Sequence, residues 1–200
     1  MTTEIHRDDL ASKTGMWLFL FTEMLLFGGL FVVYSVYRYR NAAAFHLAAE
    51  ELSVFVGTLN TIILLISSAT IAMSITAIQK HNKKLTLILL GITVLLGIAF
   101  LVNKYFEWGH KIAHDIYPNS PTLTGGPHGK NIFFGLYYVI TGLHGLHVII
   151  GMTLLGLSFL FVFNDKITAR SFTLLENSGL YWHLVDLIWI FVFPLFYLIL

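Results

Sequence analysis

Five apolar runs separated by short polar segments dominate the sequence. The runs cover residues 15–37, 54–78, 85–108, 132–163 and 179–200. Each run reaches the roughly 20 residues that a helix needs to cross a hydrocarbon core of about 30 Å. The alternating pattern of a transmembrane β-strand is absent. The pattern therefore predicts an all-α polytopic membrane protein, in which residues 1–200 form one domain built as a bundle of five transmembrane helices.

Composition agrees with this class and narrows the chemistry. The 200 residues are 56% hydrophobic and 12% charged, and no cysteine is present. Disulfides, iron–sulfur clusters and thiolate metal sites are therefore excluded. The net charge of +1 gives no reason to expect a nucleic acid partner.

The distribution of lysine and arginine predicts the orientation of the chain. Seven of these residues lie on the side of the N-terminus: Arg7, Lys13, Lys80, Lys83, Lys84, Lys166 and Arg170. Five lie on the other side: Arg38, Arg40, Lys104, Lys111 and Lys130. Because cytoplasmic loops carry the excess of positive charge, we expect a cytoplasmic N-terminus and an external C-terminus.

An acidic residue interrupts the first apolar run. Glu23 lies about eight residues into the run, which contains no lysine or arginine to pair with it. An ionisable group at the bilayer centre costs roughly 2.5–3.5 kcal/mol on insertion scales, so it usually faces protein. Glu23 is therefore interpreted either as a structural carboxyl that fixes helix packing or as part of a proton or lipid-headgroup site.

Two histidines share one face of the fourth run. His144 and His147 are three residues apart, which places them on adjacent turns of a helix. Together with His183 they could hold a haem or a metal, since imidazole suits iron, copper and zinc. The alternative is hydrogen bonding between helices, with Asp186, Glu23 or backbone carbonyls as partners.

The last run carries a second pair with the same spacing. His183 and Asp186 lie on one helix face. The pair is interpreted as a proton relay, as an imidazole oriented by the carboxylate, or as a fixed ion or hydrogen-bond pair that locks two helices together.

A Glu-x-x-His segment ends the third run. Glu107 and His110 form it, and His114 follows one turn later. A di-iron bundle site needs two such motifs and two further glutamates, and only one motif is present. We therefore expect Glu107 to pair with Lys104 or Lys111 on adjacent turns.

Three segments resemble subunit III of the haem–copper oxidases, the family of cytochrome c oxidase and the bacterial quinol oxidases. They are GMWLFLFTE at residues 15–23, YVITGLHGLHV at 138–148 and YWHLVD at 181–186. A looser similarity is KYFEW at 104–108. The order and spacing of these segments match the family over almost the whole chain, in its five-helix form.

The resemblance implies an accessory core subunit with no catalytic, metal or cofactor site of its own. Haem and copper are expected in partner subunits, and bound phospholipid in this one. The expected partners are oxidase subunits I and II, a small subunit IV and membrane lipids, in a bacterial cytoplasmic membrane. The complex would reduce oxygen to water and pump protons with cytochrome c or quinol as donor. The carried-over structural, proton- or lipid-related positions are Glu23, Glu107, His144, His147, His183 and Asp186.

Three other functions fit parts of the pattern. A haem-binding, quinone-reactive membrane anchor would use His144 or His147 with His183. A subunit III-like partner of a nitric oxide reductase would share the five-helix form. A small transporter would line a pathway with the buried charges, but an internal repeat of the kind common in transporters is not evident.

Overall fold

The computed structural model describes residues 9–199 as a bundle of long helices. The elements are α1 (Asp9–Arg40), α2 (Ala42–Ala49), α3 (Val54–Gln79), α4 (Lys83–Ala113), α5 (Pro121–Thr124), α6 (His128–Phe163) and α7 (Thr173–Tyr197). Five of these, α1, α3, α4, α6 and α7, are long and apolar enough to cross a membrane. The predicted all-α bundle of five spans is confirmed. Arg7 and Leu200, used in the sequence predictions, lie outside the described residues.

The helices extend beyond the apolar runs that predicted them. Helix α1 begins at Asp9 and α6 at His128, whereas the runs begin at residues 15 and 132. The largest difference is in α7, which begins at Thr173 although the prediction placed residues 164–178 in a polar connection. The apolar run marks the part of a helix that faces hydrocarbon, while backbone hydrogen bonding continues into the polar interface.

Contacts with α1 explain why the polar start of α7 is helical. Lys13 Nζ lies 2.8 Å from Glu176 Oε2, and the Thr173 hydroxyl donates to an Asp9 carboxylate oxygen at 2.8 Å. Asn177 adds a hydrogen bond to the hydroxyl of Ser12 at 3.0 Å. These polar residues bind the start of α7 to the start of α1. Their polarity predicts a loop, but the backbone there is helical.

Polar side chains set the helix starts within the bundle. The Ser53 hydroxyl accepts a hydrogen bond from the Val56 amide at the start of α3. The Asn82 side chain caps α4 in the same way by accepting from the Leu85 amide. Such N-caps satisfy amides that have no partner inside the helix.

Trp182 of α7 lies at the centre of the packing. A Cβ atom built on Gly151 of α6 would lie 2.8 Å from the indole, and one built on Gly97 of α4 would lie 2.9 Å from it. The indole Nε1 donates to Ser67 Oγ of α3 at 3.0 Å. The two glycines therefore let α4 and α6 approach α7 closely enough to enclose this side chain.

Helix α1 is the outermost span. It packs on α6 and α7, and most of its side chains are exposed. Near its C-terminal end the Tyr34 hydroxyl donates to the Leu195 carbonyl, next to Pro194 inside α7. The short α2 packs on α6 through Phe45, which contacts the rings of Tyr34 and Phe133. Its eight residues were too few to be predicted from a membrane-spanning pattern.

Candidate functional site

The acidic residue of α1 pairs with a histidine of α6. His147 Nε2 lies 2.9 Å from Glu23 Oε2, and its Nδ1 lies 2.7 Å from the Leu143 carbonyl one turn earlier. Phe27 packs edge-on against the imidazole, and Tyr181 stacks on it. Both ring nitrogens of His147 are thus engaged inside the bundle, and the pair joins the outermost helix to its centre.

His144 lies in a different environment although it is only one turn away. It is 1% exposed, and its imidazole packs against Phe100 of α4 and Trp189 of α7. Neither ring nitrogen has a hydrogen-bond partner among residues 9–199. The helical spacing therefore places the two histidines on neighbouring turns, but the structure gives them different partners.

His183 and Asp186 are related through α3. The Ser68 hydroxyl lies 2.7 Å from His183 Nδ1. The same hydroxyl also approaches the Asp186 carboxyl, without completing a hydrogen bond of good geometry. Asp186 is only 3% exposed, and its two carboxylate oxygens have no hydrogen-bond partner within the described part of the chain.

A closed network of hydrogen bonds lies near the C-terminal end of α4. Lys104 Nζ lies 2.9 Å from Glu107 Oε2, 2.8 Å from the Tyr137 hydroxyl and 3.0 Å from the Tyr197 hydroxyl. Both tyrosine hydroxyls donate to Glu107 Oε1, at 2.8 and 2.6 Å. Glu107 therefore pairs with Lys104. Lys111, the other candidate, instead donates to the Glu51 carbonyl at 2.9 Å.

The remaining imidazoles of the Glu-x-x-His segment lie on the surface. His110 and His114 are exposed and stack on each other at 4.3 Å between ring centroids. Across residues 9–199 there is no group of three or more histidine, cysteine, aspartate or glutamate side chains that could hold a metal ion. His147 and His183 are engaged with Glu23 and Ser68, which belong to different helices.

The sequence matches the family described as cytochrome c oxidase subunit III over residues 6–199. The chain belongs to this family. The resemblance inferred from the three segments is thereby confirmed, and it places this chain among the subunit III proteins of haem–copper oxidases.

Relatives of several oxidase types match the chain. Cytochrome c oxidase subunit 3 of Thermostichus vulcanus is 34% identical over 186 residues, covering 92% of this chain and 86% of the relative. Cytochrome bo(3) ubiquinol oxidase subunit 3 of Pseudomonas aeruginosa is 29% identical over 195 residues, covering 96% and 88%. A third relative is the Heme-copper oxidase subunit I+III of Aeropyrum pernix, 30% identical over 193 residues. The match covers 94% of this chain but spans only 22% of that longer protein.

The structure adds residues that sequence reasoning missed. Tyr137 and Tyr197 complete the bonding of Lys104 and Glu107, and Ser68 binds His183. Each comes from a helix distant in sequence, so spacing along the chain carries no signal for it. Lys104 itself was detectable, since a lysine near the end of an apolar run requires a partner.

Proposed function

We propose that this chain is an accessory core subunit of a respiratory haem–copper oxidase, packing against the catalytic subunit I with subunit II and a small subunit IV nearby. Haem and copper belong to those partners, and the chain carries no redox group of its own. The observation that carries the proposal is the family match over residues 6–199, together with His147 and His183 binding protein groups. Polar side chains that hydrogen-bond between helices in this way help to join the helices of a membrane bundle.

The Glu23–His147 pair is proposed to hold α1 on the bundle. Helix α1 has few buried residues, namely Leu20, Phe27 and Tyr34, and so gains little from apolar packing. Within hydrocarbon, apolar surface provides little drive for association, so polar contacts between helices weigh more. The pair therefore maintains the surface that α1 presents to partner subunits and lipids, and through it the supply of protons to the catalytic subunit.

Bound phospholipid is proposed along the C-terminal half of α1. The open, mostly apolar surface there is formed by α1 alone, through Phe31, Val32, Ser35, Val36, Tyr39 and Arg40. Arg40 is the last residue of α1, where a cationic side chain reaches the headgroup region. The apolar residues of this surface suit an acyl chain, and the guanidinium suits the phosphate.

Purification of the tagged chain in mild detergent tests this function. We expect a haem–copper catalytic subunit to accompany the chain, identified by mass spectrometry and by the haem absorption of the complex. Recovery of the chain without any oxidase subunit would contradict the proposal. A Soret band belonging to the purified chain alone would instead favour the haem-bearing membrane anchor.

Glu23→Gln tests the role of the Glu23–His147 pair within this function. We expect normal haem spectra, with less phospholipid retained per complex or a shorter active lifetime during turnover, because the contact between α1 and α6 is weakened. The matched control is Glu50→Gln, an exposed residue whose carboxylate lies 3.9 Å from His46 Nε2 on the same helix surface. Complete loss of haem absorption in Glu23→Gln alone would argue against an accessory role.

The proposed location is a bacterial cytoplasmic membrane with the N-terminus in the cytoplasm and the C-terminus outside. The absence of native cysteine allows a direct measurement by single-cysteine labelling. Gln79 ends α3 and Thr122 lies in α5 at the opposite end of the bundle, and both are exposed. We expect an impermeant thiol reagent to label Thr122→Cys in spheroplasts and Gln79→Cys only in inverted vesicles. The reverse pattern would invert the topology.

A further inference from the structure

A polar pair lies partly exposed at mid-depth on the outer face of α3 and α7. His183 is near the middle of α7 and Ser68 near the middle of α3, and both are half-buried. Their side chains are joined at 2.7 Å. An imidazole at this depth is costly when it meets hydrocarbon, and ionisable residues in spanning helices almost always face protein or a water-filled cavity.

A further polar group, the carboxyl of Asp186, lies deeper in the bundle next to this pair. Asp186 lies three residues after His183, one turn further along α7, and is buried. Its two carboxylate oxygens have no hydrogen-bond partner among residues 9–199. A buried carboxyl without a partner is destabilising. The chain by itself therefore leaves the polar groups at this point of the membrane incompletely satisfied.

The apolar surroundings have the shape of a helix-docking face. Leu187 and Ile190 follow His183 along the exposed side of α7 at helical spacing. Beside Leu187, an apolar groove of about 170 Å³ runs between α1 and α7, with Gly28 on its α1 side. Gly28 and Gly29 have open space where a Cβ would lie, and such positions allow the backbone of another helix to approach closely.

The groove on the opposite face of the bundle differs in its polar groups. Between α4 and α6 lies a larger apolar groove of about 730 Å³, and the only charged side chain among its lining residues is Lys104. Lys104 is already bonded to Glu107, Tyr137 and Tyr197. Trp108, which also lines that groove, has an indole nitrogen without a hydrogen-bond partner among residues 9–199, but this atom is buried. Acyl chains can therefore cover that groove, whereas the partly exposed imidazole of His183 requires a hydrogen-bonding group that lipid tails lack.

We infer that the face formed by α1, α7 and α3 docks a transmembrane helix of a partner oxidase subunit. That helix carries a polar side chain at the depth of His183 and Ser68, where it completes their hydrogen bonding. The inference rests on the proposed function, since it names the surface through which this subunit joins its complex. The α4–α6 groove then faces lipid.

Site-specific photo-crosslinking in the assembled complex tests the assignment. A photoreactive amino acid replaces Leu187 on the proposed face, where the native side chain is 41% exposed. The control position is Leu146, 51% exposed, near the middle of α6 in the α4–α6 groove. The two positions match in residue type and in depth. After irradiation in native membranes, the tagged chain is purified and its adducts are identified by mass spectrometry.

We expect position 187 to yield an adduct with another oxidase subunit and position 146 to yield lipid adducts. Adding His183→Leu to the position 187 variant is expected to remove the subunit adduct while the chain still elutes as a folded species. Lipid adducts alone at position 187, or equal subunit adducts at both positions, would overturn the inference. If the unmodified tagged chain still co-purifies with oxidase subunits, such a result rejects the face and leaves the proposed function intact. If it does not, the proposed function itself fails.

Discussion

Two polar regions of this bundle differ in how far the hydrogen bonding of their buried groups is satisfied. The distal network comprises Lys104, Glu107, Tyr137 and Tyr197, and its charged groups are bonded to one another within the chain. The mid-membrane group comprises Ser68, His144, His183 and Asp186, and its carboxylate and one of its imidazoles have no partner among residues 9–199. The first region is complete inside one chain, whereas the second retains buried polar atoms without a hydrogen-bond partner.

Donor and acceptor numbers explain why the distal network is complete. A lysine ammonium has three donors, and Lys104 uses them on Glu107, Tyr137 and Tyr197. The tyrosine hydroxyls accept hydrogen bonds from the lysine and donate their own to the other carboxylate oxygen of Glu107. A buried network of this kind holds a fold together when every member is satisfied and becomes a liability when one is removed.

Removing the charge of Lys104 should disrupt the distal network and cause the largest loss of unfolding free energy among the variants considered. Lys104→Met leaves Glu107 buried without its cation, in a site where the two side chains are only 9% and 7% exposed. Breaking a buried ion pair by removing one partner costs about 3–5 kcal/mol. We expect a loss of that size in the free energy of unfolding, measured by thermal or denaturant unfolding of the purified chain in detergent.

The double variant Lys104→Met, Glu107→Leu separates charge from packing. Replacing both partners by apolar residues of similar size is often neutral or stabilising, so the double variant should recover most of the loss. A double variant as unstable as the single one would contradict the interpretation, because it would show that the tyrosines and packing alone carry the effect.

Overpacking beside Trp182 should disturb the mid-membrane group and spare the distal network. Trp182 precedes His183, so its fit against α6 fixes the position of that turn of α7. Gly151→Ala places a methyl group 2.8 Å from the indole, and strain of this kind typically costs about 1–3 kcal/mol. We expect a loss of unfolding free energy in that range, measured under the same conditions.

Gly156→Ala is the matched control for this substitution. It lies on the same helix, and its added Cβ would meet nothing within 4 Å. We expect no loss there, because alanine favours a helix over glycine. Equal losses in the two variants would show that the glycines act through the backbone of α6 and that the contact with Trp182 is unimportant.

These positions also show how far sequence reasoning reaches. Apolar length predicted five spans, and the cost of charge in a membrane identified Glu23, His147, His183 and Asp186 as groups that need partners. Which partner each one finds depends on helix rotation and neighbours. Gly145 and Gly151 look equivalent in sequence, yet a Cβ added at Gly151 would meet Trp182 of α7, whereas one added at Gly145 would meet nothing within 4 Å. Ser68 became relevant only when α3 and α7 were placed side by side.

Asp186→Asn should have the smallest effect on the stability of the purified chain. A typical hydrogen bond contributes about 0.5–1.5 kcal/mol to stability, but neither oxygen of Asp186 makes one inside the described chain. We expect the unfolding free energy of the isolated subunit to change by less than the roughly 0.5 kcal/mol that a weak hydrogen bond contributes, because no bond is lost and asparagine has nearly the same shape as aspartate. Recovery of partner subunits with the assembled complex should change equally little, because both carboxylate oxygens are buried in the bundle and the proposed partner helix binds His183 and Ser68. A loss of several kcal/mol in the isolated chain would show instead that Asp186 is bound within the bundle, and the two polar regions would then be of the same kind.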